Sequence, residues 1–310
     1  MNRISTAGSY LSVIANLNDA QARQIRAGSE VSSQKKADDL KGYARNAETL
    51  TAMQAVSTRL TGFLEQSDVL ADRFTAQDVA LNQLGDSVGA MRQSITDAIA
   101  SGRADTLMQE LRGFFTDAVA ALNSRNQGKY LFSGGQIDTM PVSATSMSDL
   151  TTAPSVGSLF KNDQFKQNNR LDETATISGS FLADALGTPL FNTLKSIQSF
   201  DETTGSGPID GALTQPQIDF LQSQLAALDT VHETVTNQAA INGSYQRRID
   251  DNRSDLKARQ TTIENMMGGV TDVDVAEAIS RLQQAQIAVQ ASAQVFQGLQ
   301  QSSLLNFLRI

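Results

Sequence analysis

From Met53 onward, apolar side chains recur every seven residues at Met53, Leu60, Phe74, Leu81, Val88 and Ile95. A second set three positions later runs through Val56, Phe63, Leu70, Leu84, Met91 and Ala98. Only Ser67 and Gln77 interrupt the stripe. A heptad repeat sustained over so many turns predicts one long helix whose seam is covered by other helices. Ile218, Leu221, Leu225, Leu228, Val235, Ala239, Ile249, Leu256 and Ile263 form a matching stripe that predicts a returning, antiparallel helix. A helix of about 45 residues rising about 1.5 Å per residue would be a rod of about 70 Å. The expected fold is therefore mainly α: an elongated antiparallel coiled-coil or helical-bundle rod built from N- and C-terminal arms, with a small inserted α+β domain.

All five prolines lie between Pro141 and Pro216. Proline removes a backbone donor and clashes inside a helix, so this confinement separates the arms from a different middle. After a break at Ser101-Gly102, Leu107, Leu111, Phe114, Phe115, Val119 and Leu122 predict a second helix folding back on the first. From Gly134 the composition turns to Ser, Thr, Gly, Asp and Pro, and alternating stretches such as Ala175-Thr176-Ile177-Ser178 predict some strand. Leu186 to Phe200 is expected to be a short helix, and Pro216 fits the first turn of the return helix. The expected organisation is 1–45 with 270–310 as terminal assembly helices, 46–135 with 212–269 as a helical rod, and 136–211 as an outer insert.

The two ends carry weaker stripes. Ile4, Leu11, Ile14, Leu17 and Ile25 share their seam with Asn18 and Gln21, and Gly28-Ser29 with the polar run to Asp39 is expected to close this helix in a loop. Gly268-Gly269 is expected to end the return helix, with Thr271 and Asp274 capping the last one. There Val275, Ile279, Leu282, Val289, Ala293, Phe296 and Phe307 are diluted by Gln286 and Gln300. Antiparallel arms bring the two terminal stripes together, and an exposed amphipathic stripe needs a partner surface, so the termini are expected to assemble with other chains.

Composition narrows the chemistry. The 310 residues suffice for two or three structural units. A net charge of -8, with no basic run longer than Lys35-Lys36 or Arg247-Arg248, argues against nucleic acid or anionic lipid as a partner. The chain has no cysteine and hence no disulfide or thiolate chemistry. No apolar run reaches the roughly 20 residues a bilayer requires, and Met1 to Thr6 lacks the apolar core of a secretory signal, so no membrane insertion and no cleaved leader are expected.

Catalytic candidates are few. His232 is the single histidine and lies on the apolar stripe of the return helix, where a packed or register-setting polar residue is expected, as for Asn242. Asp272 and Asp274 resemble the start of a calcium loop but lack its glycine and closing glutamate. Asp38-Asp39 suits a solvated loop, and otherwise a bound cation or contact with a neighbouring chain's arginines, and Gly134-Gly135 suits a tight turn. No catalytic residue, cofactor or metal is expected.

Arg3-Ile4-Ser5, then Ala27-Gly28-Ser29-Glu30-Val31 followed by Asp38-Asp39, and at the other end Asp274-Val275-Ala276-Glu277 through Ser303-Leu304-Leu305-Asn306-Phe307-Leu308, are similar to the terminal patterns of the bacterial flagellin superfamily. Asn126-Gln127-Gly128-Lys129-Tyr130-Leu131-Phe132-Ser133-Gly134 resembles the signature of its hook-filament junction branch at Tyr130, Leu131, Phe132, Ser133 and Gly134. Leu40 stands where the family often has proline, and Val142 where the signature often has an aromatic. The resemblance implies a non-enzymatic structural subunit of the extracellular flagellum, exported unfolded through the flagellar type III channel. It further implies terminal segments that fold on docking, and as partners a ring of its own copies, the preceding hook-associated protein, flagellin and an export chaperone. The assembly residues would be Ile4, Leu11, Ile14, Ile25, Asp38, Asp39, Ile279, Leu282, Val289, Phe296, Leu304, Leu305, Phe307 and Leu308. A filament-forming flagellin and a cytoplasmic signalling coiled coil are the alternatives.

Overall fold

A computed structural model describes the backbone of residues 2–179 and 181–307 and the side chains of residues 8–179 and 181–301. Among the described residues seven α-helices carry the fold: α1 (Asn2–Ser33), α2 (Ala47–Ser101), α3 (Leu107–Leu122), α4 (Met147–Thr152), α5 (Ala183–Glu202), α6 (Gln215–Thr271) and α7 (Val275–Phe307). Two antiparallel hairpins supplement them, β1 (Arg125–Asn126) with β2 (Lys129–Tyr130), and β3 (Asn168–Arg170) with β4 (Thr176–Ser178). The mainly α class with a small strand component is as expected. Contacts divide the chain into two compact units, 1–61 with 258–310 and 62–257, and both α2 and α6 contribute residues to each.

In the second unit the heptad stripe is the seam between α2 and α6. Leu70, Phe74, Leu81, Leu84, Val88, Met91 and Ile95 are buried, facing Leu221, Leu228, Val231, Val235 and Ile249. The pair is antiparallel: Asp68 meets Arg253, Phe74 meets Asn242, and Arg92 meets Asp229. The two residues that break the stripe, Ser67 and Gln77, are also fully buried. Gln77 donates through Nε2 to the Leu131 carbonyl at 3.4 Å, so a polar residue on the seam ties α2 to the chain beyond β2. His232 is half-buried, with Cε1 over the position a Gly89 side chain would occupy. Asn242 is buried and donates to the Phe74 carbonyl at 2.9 Å, which Gln246 also reaches at 3.0 Å.

The segment from 136 to 211 continues the same core. Phe160 and Phe191 stack with centroids 5.1 Å apart, Phe115 of α3 packs on Phe191 at 5.2 Å, and Gly187 lets α5 approach them. The α5 helix begins at Ala183, earlier than the apolar pattern indicates, and holds Pro189 in its interior. Asn123, just beyond α3, accepts from the Val142 N–H and donates to the Val142 carbonyl, a reciprocal clasp on a fully buried valine.

Two expected helix ends are displaced. Helix α1 passes through Gly28-Ser29 to Ser33 and closes at Gln34, whose φ of 57° is left-handed. Helix α6 passes through Gly268-Gly269 to Thr271. An interior glycine costs a helix only about 1 kcal/mol, which neighbouring turns and tertiary packing override. Asp274 alone caps α7, accepting from the Ala276 and Glu277 N–H groups, whereas Thr271 remains in α6 and its hydroxyl binds Asp272.

Candidate assembly surface

In the first unit α1 and α7 pack antiparallel. Tyr10 lies against Phe296 with ring centroids 5.1 Å apart, Gln300 donates to the Tyr10 hydroxyl at 3.1 Å, and Arg281 pairs with the buried Glu30 at 3.3 Å. The residues this pair buries are small: Ala20 and Ala27 on α1, Ala278 and Ala285 on α7. Alanine seams let helix backbones approach closely but remove little apolar area from water, at about 25 cal/mol per Å². Several large apolar side chains point elsewhere. Leu11 is 69% exposed, Ile25 74%, Ile287 65% and Val295 54%.

Charge is equally uneven. From Leu282 to Gln301 no residue is charged, nor is any from Gly8 to Asn18. Arg23, Arg26, Glu30 and Arg281 instead gather along one cleft between the helices. Half of the helix pair thus combines exposed aliphatic side chains with uncharged polar ones, a surface that can be buried without leaving ions unpaired.

Of the expected assembly residues, Leu11, Ile25 and Ile279 are exposed and Ile14, Leu282, Val289 and Phe296 are half-buried in the pair. The side chains of Ile4, Leu304, Leu305 and Phe307, and Leu308 as a whole, lie outside the described residues. Asp38 accepts from the Ser29 hydroxyl at 2.6 Å, and Asp39 accepts from the Gly42 N–H, capping a 3-10 turn over Leu40–Asn46. Both are exposed, and their contacts are local.

The two linkers of the terminal pair are bound together. The Lys36 N–H donates to the Thr271 carbonyl, the Val273 N–H to the Gln34 carbonyl, and the backbones of Lys35 and Asp272 pair in an isolated antiparallel β-bridge. The Lys36 ammonium reaches the Gly269 and Val270 carbonyls at 3.3 and 3.0 Å, satisfying acceptors that the end of α6 leaves open. Sequence reading missed this clasp and the Glu30–Arg281 pair; a lysine in a polar run carries no sign of which distant carbonyls it will meet.

The segment Tyr130 to Gly134 is interior. Tyr130, Leu131, Phe132 and Ser133 are buried. Gln127 and Gly128 both have positive φ, as a two-residue hairpin turn of the favoured hand requires. The Tyr130 N–H donates to Ile137, the Leu131 N–H to Ser124, and the Ala183 N–H to Phe132. Gly134, at φ 69°, turns the chain over Asp163, whose carboxylate accepts from the Gly135 and Phe165 N–H groups at 2.8 and 3.0 Å.

Among the described residues no group of three or more His, Cys, Asp and Glu is placed to hold a metal, and no helix is long and apolar enough to cross a membrane.

Residues 225–308 match the family model of the bacterial flagellin C-terminal helical region. The chain's fold is that of flagellar hook-associated proteins. It is similar to a structure described as a flagellar hook-associated protein from Vibrio parahaemolyticus, with a TM-score of 0.59 and 13% identity over 75% of this chain and 98% of that one. It is also similar to Xanthomonas campestris FlgL (TM-score 0.55, 14% identity, 71% and 99% covered) and Bacillus cereus FlgL (0.53, 15%, 71% and 99%). At these identities the likeness is one of fold. No curated protein matches the chain by sequence.

Proposed function

We propose that this chain is the adaptor at the junction of hook and filament, a ring-forming structural subunit of the extracellular flagellum. The observation that carries the reading is the α1–α7 pair, which buries alanines and presents Leu11, Ile287 and Val295 to solvent on uncharged stretches, with Ile25 exposed beside Arg23 and Arg26. Such a pair lacks enough cover of its own and is completed by neighbouring copies, by the preceding hook-associated protein on one side and by flagellin on the other. The similar solved structures are hook-associated proteins, which favours the junction over the filament. Export in an unfolded state with a chaperone covering the terminal stripes suits the same surface.

Immunogold labelling of intact flagella, with an antibody to residues 142–200, tests the position. The expected result is a single band where hook meets filament; label along the filament identifies a flagellin, and label confined to the cell body overturns the axial role. A chain lacking Leu304 to Ile310 should fold and fail to assemble. Ile25→Glu and Ile287→Glu should each shift monomer stability by no more than about 0.5 kcal/mol, as exposed substitutions do, while abolishing incorporation into flagella.

A further inference from the structure

A cleft of about 250 Å³ lies in the second unit between α2 and the β1–β2 hairpin, with Arg73, Lys129 and Asn169 on its polar side and Val69 and Ile137 on its apolar side. Arg73 is half-buried, and burial holds its guanidinium below the usual arginine range. Its neighbour is the neutral Gln167 carbonyl oxygen, and no carboxylate stands within ion-pair distance among the described residues. Arginines withdrawn from water are normally matched by an acid, because the charge is otherwise uncompensated. Asn169 is 4% exposed and its Nδ2 has no acceptor among the described residues. A buried donor without a partner costs about 1 to 3 kcal/mol, so two groups here lack the same thing: an anionic acceptor.

We propose that this cleft binds a carboxylate carried on a short aliphatic stem. The planar fork of Arg73 matches the two oxygens of a carboxylate, Lys129 adds a second positive charge at the rim, and Val69 and Ile137 cover the methylenes of the stem. A glutamate side chain of a second copy and a free dicarboxylate share this chemistry. The site is separate from the α1–α7 surface and stands or falls apart from the junction role.

The test is a glutarate titration of the full chain at constant ionic strength, followed by NMR at the Arg73 Nε–H and at the backbone amides of Gln127 to Leu131 and Asn169. Saturable shifts at these groups are expected, absent with chloride, lost in Arg73→Gln and weakened at least fivefold in Lys129→Gln. Lys129 is exposed, so that variant keeps the test valid if Arg73→Gln does not fold. A second arm raises protein concentration without glutarate. Shifts at the same amides that Lys129→Gln removes assign the carboxylate to a second copy, and shifts seen only with glutarate assign it to a free acid. Linear shifts equal to those with chloride, or saturable shifts unchanged in Lys129→Gln, together with no concentration dependence, overturn the proposal.

Discussion

Asp172 shows how much one side chain can organise in a chain short of strand. Its Oδ1 accepts from the Thr174 and Ala175 N–H groups at 2.7 and 2.6 Å and from the Thr174 hydroxyl, while Oδ2 accepts from Asn252 of α6 at 3.0 Å. The backbone donors of Thr174 and Ala175, ahead of the two side-chain donors, hold its pKa below the usual carboxylate value. A lowered folded-state pKa gives stability that is fully present above the unfolded value, near pH 4, and is lost as pH falls through the folded one. Asp172→Ala should therefore cost about 2 kcal/mol at neutral pH, the order expected when buried donors lose an acceptor. In thermal melts its deficit against the parent should shrink below pH 4. At Gly134 the limit is steric as well as conformational: an added Cβ would sit 2.2 Å from the Asp163 carboxylate. Gly134→Ala should lower stability by about 2 kcal/mol, measured by urea unfolding, and Gly134→Asn, which tolerates positive φ but carries the same Cβ, should recover little of that loss.

Among the elements, the pairing of α2 with α6 depends on both an apolar seam and a polar key. Two apolar stripes in antiparallel contact tolerate sliding by a heptad, whereas Asn242 and Gln246 converge on the single carbonyl of Phe74. Replacing Asn242 by Leu should keep or raise the melting temperature and broaden the pairing register. Spin labels at the exposed positions Asp86 and Glu233 report this: a single narrow distance in the parent, a second population in the variant. An unchanged single distance would show that the seam alone fixes register. At α7, Asp274→Ala should cost about 1 kcal/mol through the lost N-cap, read as lower helicity on heating. These elements also show what the sequence makes legible. Heptads predict α2 and α6 because burial of their seam repeats locally, and Ala175 to Ser178 predicts β4 by simple alternation. The clasps of Lys36, Asn123, Asp163 and Asp172 join residues far apart in sequence and leave no periodic trace. The glycine pairs mislead because the energetic cost of glycine in a helix is smaller than the gain from continuing it.

For the molecule as a whole, stability should be unevenly held. The second unit is filled by Phe74, Phe115, Phe132 and Phe191 with leucines and isoleucines, whereas α1 and α7 meet over alanines. Opening free energy follows buried apolar contact. In native-state hydrogen exchange of the monomer, amides of α1 and α7 should exchange at least a hundredfold faster than those of α3 and α5. Equal protection would remove the ground for expecting the terminal pair to complete its folding on assembly. The first unit is also assembled from the two ends of the chain, with the second unit supplied by the uninterrupted sequence between them. Helix α1 therefore leaves the ribosome before every element of the second unit, and α7, its partner, after all of them. During synthesis the second unit can mature while α1 waits unpaired. The order of manufacture thus keeps the α1 face that meets α7 open until α7 emerges, and any factor that guards that face against premature association must act before the second unit is made.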